Sequence, residues 1–102
     1  MAYIRVSYMV PKAGQEKTLD GVLDDLSTFY AGAGGYVLGY RLHPHQGDPM
    51  KRVGRVGVWE TEEAAVRSAQ ADHVLALRSR MMQLIDEDSH VELSFVGEQD
   101  NA

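Results

Sequence analysis

Residues 3–10 alternate along an extended backbone, with Ile4, Val6, Tyr8 and Val10 on one side and Tyr3, Arg5, Ser7 and Met9 on the other. The stretch is rich in β-branched and aromatic types, and Pro11, which has no N–H for a ladder, closes it. A first strand is predicted there. From Glu16 to Ala31 the apolar residues Leu19, Val22, Leu23, Leu26, Phe29 and Tyr30 return every three or four positions, with Lys17, Asp20, Asp24 and Asp25 between them. That is the stripe of an amphipathic helix, ended by Gly32, Gly34 and Gly35.

The strand pattern returns at Tyr36–His43 and Arg52–Trp59 around an eight-residue loop with Pro44, Gly47 and Pro49, which predicts an antiparallel hairpin. Thr61 reads as an N-cap, Glu62 and Glu63 suit the positive end of a helix dipole, and a second helix is predicted from there to about Ile85, bending near Asp72. Beyond the acidic break Asp86-Glu87-Asp88, residues 90–96 alternate Val91, Leu93 and Phe95 with His90, Glu92 and Ser94, a last strand.

The fold class predicted is α+β: a ferredoxin-like βαββαβ order, with a four-stranded antiparallel sheet and two helices on one face. It forms a single domain over residues 1–97, followed by a polar tail at 98–102. Two helices cover only one face, yet neither side of the first strand is uniformly polar. The bare side, with Ile4, Val6, Tyr8 and Val10, is an apolar patch of the kind that marks an interface. The pattern therefore predicts a homodimer whose sheets face each other. It also turns Arg5 and Ser7 toward the helices, where polar groups line a pocket better than a core.

Composition excludes several classes. Ten Lys and Arg against fifteen Asp and Glu give a net charge of −5, the wrong sign for a phosphate backbone, so neither nucleic acid nor a membrane is expected as partner. With no Cys there are no disulfides, thiol nucleophiles or thiolate metal sites. The opening Met-Ala-Tyr-Ile-Arg-Val is a strand pattern and not a signal peptide, no apolar run approaches the ~18–20 residues of a membrane span, and the cytoplasm is the expected compartment. The glycines at 32, 34 and 35 follow a helix and precede a strand, the reverse of a phosphate-binding loop.

The candidate chemistry is dispersed. His43, His45 and Asp48 have the ligand types for zinc or iron, but polar residues at a hairpin end also serve turn chemistry, and no metal is expected. Trp59, the only Trp, either walls a pocket for a flat ligand or fills the core; Tyr30, Tyr36 and Tyr40 lie near it in topology. If Tyr36 lies opposite Trp59, the hairpin brings Tyr40 to Arg55 on the same face, and a one-residue slip would separate them. His73, beside Asp72, is either a general base or a local cap at the bend. His90, Arg78 and Arg80 read as parts of solvated faces, although an arginine in a cavity would hold an anionic substrate.

Four segments carry a resemblance: Pro11-Lys12-Ala13-Gly14 after the first strand, Gly34-Gly35-Tyr36 before the second, Val58-Trp59-Glu60-Thr61-Glu62-Glu63-Ala64, and His73-Val74-Leu75-Ala76-Leu77. In their order and spacing, over residues 3–97, the chain resembles the antibiotic biosynthesis monooxygenase family of the dimeric α/β barrel superfamily. The resemblance implies a ferredoxin-like protomer, a dimeric α/β barrel and, for the family's oxygenases, a pocket between sheet and helices in which a flat phenol is deprotonated and reacts with dioxygen. No cofactor is expected. In that reading His73, Tyr30 and Arg41 are the catalytic candidates, and Ser7, Arg5, Tyr36, Tyr40, Arg55 and Trp59 hold the substrate.

Haem-degrading relatives carry an Asn, a Trp and a His where this chain has Ser7, Ser68 and Arg78, so haem degradation of that type is not expected. The one Asn, Asn101, lies in the tail, and the active-site Asn of the oxygenases has no counterpart. Three readings stay open at this point. They are a cofactor-independent monooxygenase of a flat aromatic or quinol, a non-catalytic small-molecule-binding or dimeric interaction module, and an isomerase or lyase acting on a small oxo acid.

Overall fold

The alternating segments become the strands β1 (Ala2–Met9), β2 (Tyr36–Leu42), β3 (Val53–Trp59) and β4 (Val91–Gly97) of one antiparallel sheet, in the order β2-β3-β1-β4. This is a computed structural model, and it describes residues 1–100; Asn101 and Ala102, the end of the expected tail, lie outside the described residues. Helix α1 (Glu16–Ala31) buries the stripe Leu19, Val22, Leu23, Leu26 and Tyr30, and stops at Gly32, whose N–H donates to the Phe29 carbonyl at 3.1 Å while the Ala33 N–H donates to the Tyr30 carbonyl at 3.0 Å. The architecture is the ferredoxin-like α+β one, with its helices packed on one face of the sheet.

The second helix is in fact two, α2 (Glu62–Ala69) and α3 (Asp72–Gln83), which makes three among the described residues. Thr61 caps α2, its Oγ1 accepting from the Ala64 N–H at 3.1 Å. Ala71 then adopts an extended backbone, φ −62° and ψ 138°, which ends one hydrogen-bonded ladder before Asp72 starts the next. Ile85 lies beyond α3 and bridges to Pro11 instead of ending a helix.

The pairings place a row of side chains from all four strands at each level of the sheet. On the face away from the helices the rows are Leu38, Val58, Ile4 and Phe95; Tyr40, Val56, Val6 and Leu93; and Leu42, Gly54, Tyr8 and Val91. Not one of these twelve positions carries a charge. The helix-facing rows differ: Tyr36, Trp59, Tyr3 and Val96 are apolar or aromatic, but the next two are Gly39, Gly57, Arg5 and Ser94, then Arg41, Arg55, Ser7 and Glu92. The sheet is therefore apolar outside and polar in the middle of its inside.

The hairpin register departs from expectation after one pair. Tyr36 does lie opposite Trp59, but Leu38 pairs with Val58, because Val37 is an extra residue in β2. The bulge moves Tyr40 to the bare outer face, opposite Val56, and sets Arg41 opposite Arg55.

Between β1 and β2 the middle strand leaves no space at Gly54. A Cβ there would overlap the Ser7 carbonyl oxygen and stand 2.8 Å from the Tyr8 Cα, both of them backbone. Replacing Gly54→Ala is expected to lower stability by about 1–3 kcal/mol, read from chemical denaturation, since β1 must move to make room. An unchanged midpoint would contradict the close approach.

Candidate functional site

The polar rows form the floor of a cavity whose roof comes from α1 and α3. Its lining includes Arg5, Ser7, Arg55, Gly57, Trp59 and Glu92 from the sheet, Leu23, Leu26 and Tyr30 from α1, and Arg78 and Met81 from α3. The enclosed space is about 40 Å³, room for about three water molecules. Three guanidiniums face one carboxylate across it.

Each charge is held differently. Arg55 is 8% exposed; its Nε donates to Ser27 Oγ at 2.7 Å, a terminal nitrogen donates to the Tyr36 hydroxyl at 3.4 Å, and its plane lies 5.0 Å from the Tyr30 ring centre. All three partners are neutral. Glu92 receives Arg78 at 2.9 Å and has Arg5 Nε at 3.7 Å. Arg5 also donates to the Tyr3 hydroxyl at 3.2 Å, and that hydroxyl donates to Ser94 at 2.9 Å, yet Arg5 Nε is buried without a hydrogen-bond partner. Burial raises the Tyr30 pKa against the opposing pull of Arg78, Arg55 and Arg5, so the phenol stays protonated.

The aromatic wall is built around Trp59, which is 3% exposed. The Tyr36 and Tyr30 rings meet it edge to face, with centres 5.0 and 5.5 Å away. A Cβ at Gly57 would stand 3.2 Å from Trp59 Nε1, so the glycine is what lets the indole edge lie over the floor. Trp59 thus belongs to the core and to the cavity wall at once.

Of the residues singled out from the sequence, Arg5, Ser7, Tyr30, Arg55 and Trp59 line this cavity, and Tyr36 sits behind Arg55 and Trp59. Three lie elsewhere. Tyr40 is on the outer face, 63% exposed, for the reason given by the bulge. Arg41 is clamped to α1 by Asp24 at 2.9 Å and by Asp20, and donates to the Gly54 carbonyl at 2.8 Å, so its donors are engaged. His73 is exposed at the start of α3 and packs on Phe29, ring centres 5.3 Å apart.

The sequence places Arg78 and His90 on solvated faces and gives Glu92 no role, and here the structure differs. Arg78 and Glu92 line the cavity, while His90 Nε2 lies 3.0 Å from Ser7 Oγ and 3.8 Å from Glu92 Oε2. The signal lay in the phase of the last strand, whose polar positions share the face of Arg5 and Ser7.

At the hairpin end the carboxylate of Asp48 is occupied by Arg52, at 3.0 and 3.3 Å, and by the N–H groups of Met50 and Arg52. These bonds, the Arg52 guanidinium first, hold its pKa down to about 2. His45 Nδ1 accepts from the Gly47 N–H at 2.9 Å. Turn chemistry accounts for both residues, and no group of three or more potential ligands is placed to hold a metal among the described residues.

No family model and no curated protein sequence matches the chain. Solved structures do match. A single-site variant of SnoaB, a cofactor-independent oxygenase from Streptomyces nogalater, superposes with a TM-score of 0.82 over 97% of this chain and 95% of that one, at 16% identity. A candidate antibiotic biosynthesis monooxygenase from Nitrosomonas europaea gives 0.82 over 94% and 89%, at 14% identity. The chain shares the fold of these structures. Rv0793 from Mycobacterium tuberculosis shares it from end to end, with a TM-score of 0.86 over 100% of both chains at 11% identity. Within this fold no helix among the described residues is long and apolar enough to cross a membrane.

His90 makes the stability of the fold depend on pH. Burial lowers its pKa, Glu92 opposes that, and Arg78 reinforces it. With the folded value below the unfolded one, the unfolded chain takes up the proton first, so stability is lost as pH falls through about 6.5 and below. Between about pH 7.5 and about 5.5 the melting temperature is expected to fall more for the wild type than for His90→Gln; parallel curves would contradict a depressed His90.

Proposed function

We propose that this protein is a cytoplasmic, cofactor-independent monooxygenase that binds a small electron-rich phenol or quinol as its oxyanion, with the charged edge among Arg5, Arg55 and Arg78. The observation that carries the reading is the charge balance of the cavity: three guanidiniums, one carboxylate and an aromatic wall, on the fold that SnoaB also has. Fixed positive charge in a site shielded from water stabilises an oxyanion without reorganising. The electron-rich anion then reduces dioxygen. One oxygen atom becomes a carbonyl of the product, and the other leaves as water with two hydrogens of the substrate.

The volume shapes this proposal. Sites for drug-sized ligands enclose roughly 300 Å³ or more, whereas this one encloses about 40 Å³. It fits the oxygen-bearing edge of a ring, and the remainder of a flat molecule must lie toward β4, where Ser94 and Val96 on the helix side are exposed. The same small volume favours the second reading, a binding module whose interior is filled by its own side chains.

The test is oxygen uptake by purified protein supplied with a quinol or an anthrone, with Trp59 fluorescence reporting binding. Uptake above the buffer rate is expected, falling roughly tenfold in Arg55→Lys, which cannot keep the fork of contacts to Ser27 and Tyr36. Fluorescence quenching without uptake supports the binding module instead. The absence of both signals sinks both readings.

We further propose that the protomers pair through the uncharged outer face. Twelve apolar or glycine positions in three rows make a continuous uncharged face of the kind that marks an interface. Leu93 is 43% exposed in the centre row, so Leu93→Glu leaves the protomer's own packing intact. Sedimentation velocity is expected to show a dimer for the wild type and a monomer for Leu93→Glu; a wild-type monomer contradicts the proposal.

A further inference from the structure

Ser7 reaches the cavity from β1, and behind it stands an imidazole. Ser7 Oγ is 3.0 Å from His90 Nε2, and His90 itself lies outside the lining, with its side chain 15% exposed. One hydroxyl thus separates the space among the guanidiniums from a titratable ring that touches solvent. The groups facing that ring are Ser7 from β1, Glu92 from β4 at 3.8 Å, and Arg78 from α3, which holds the same Glu92 oxygen at 2.9 Å.

We propose that Ser7 and His90 form a proton relay that takes the proton of an acidic hydroxyl bound among Arg5, Arg55 and Arg78 and holds it on His90. The inference rests on the oxyanion reading above. In the step, the ligand O–H bond breaks as its proton moves to Ser7 Oγ, while the proton of Ser7 moves to His90 Nε2. The ligand keeps the electron pair and faces the guanidiniums as an oxyanion. His90 becomes an imidazolium beside the Glu92 carboxylate and keeps the proton while the oxyanion stays bound. No electron changes hands.

The relay requires one tautomer. His90 must carry its proton on Nδ1 so that Nε2 presents a lone pair to the Ser7 hydroxyl. Burial favours the uncharged ring, which leaves that lone pair free at neutral pH. His90 meets the ligand only through Ser7 and is a positioning residue; Ser7 is the group in contact.

Two measurements on the whole protein test this. Imidazole nitrogen NMR, with the His90 signals assigned by their loss in His90→Gln, is expected to show Nε2 unprotonated at neutral pH; an Nε2–H tautomer overturns the relay. The second uses 4-nitrophenol as probe, its phenolate absorbance followed against pH at saturating protein. The bound phenol is expected to ionise at lower pH than the free one, and His90→Gln to raise the bound midpoint by about one unit, a tenfold loss of phenolate at fixed pH. Gln at 90 retains a hydrogen bond to Ser7, so a merely structural contact would leave the midpoint where it was. If the phenol binds and both proteins titrate alike, the relay falls and the oxyanion reading stands. If the wild type binds no phenol, both fall together.

Discussion

Arg55 brings a permanent charge into the layer between sheet and helices, and its surroundings answer what that charge requires. An ion removed from water is costly unless hydrogen bonds and an opposite charge compensate it. Ser27 supplies one bond from α1, Tyr36 supplies another from β2, and the face of Tyr30 supplies a third, weaker attraction. Those contacts tie α1 to the middle of the sheet. They also explain Gly39, where a Cβ would overlap the Tyr36 hydroxyl and stand 3.2 Å from the terminal nitrogen of Arg55. No carboxylate pairs with Arg55 among the described residues, for Glu92 is shared by Arg5 and Arg78. A cation solvated by neutral dipoles remains uncompensated, which is the condition under which an anionic ligand gains most.

Much of the architecture was legible because it rests on periodicity. The extent of α1, the cap at Thr61, the antiparallel hairpin and the inward turn of Arg5 and Ser7 all follow from which positions repeat. The bulge at Val37 was not legible, since nothing about a valine in a β-rich run marks an unpaired residue. Its effect is not local: every later side chain of β2 changes face, which carries Tyr40 out of the site and brings Arg41 in line with Arg55. Arg41 then finds Asp20 and Asp24, one helical turn apart on α1, and serves as a clamp between helix and sheet. A single strand position cannot announce partners on another element.

Glu92 and His90, in and just before the last strand, are hidden for a different reason. Polar positions in an edge strand ordinarily face water, and β4 follows an acidic turn that encourages that reading. This sheet reverses the usual arrangement. The apolar residues of β1 and β4 share one face, Ile4 beside Phe95 and Val6 beside Leu93, and that face is the one without helices. Once β1 was seen to turn Arg5 and Ser7 inward, carrying the same phase across to β4 would have placed Glu92 next to Ser7. The information was present as a relation between strands, not in either strand alone.

That reversal joins assembly to chemistry. A protomer of 102 residues has limited apolar area to bury on folding, and this one gives part of its interior to guanidiniums and a carboxylate while leaving an apolar sheet face uncovered. Both features weaken an isolated protomer. Pairing outer face to outer face removes that apolar area from water, and the free energy released is of the non-directional kind that offsets charge burial elsewhere in the same sheet. The rows are shared through the pleat: Ile4, Val6 and Tyr8 face outward between Tyr3, Arg5, Ser7 and Met9, which face inward. An interface that fixes the outward side chains of β1 therefore also fixes the backbone that aims Arg5 and Ser7 at the cavity. The polar floor is rigid to the extent that the outer face is covered.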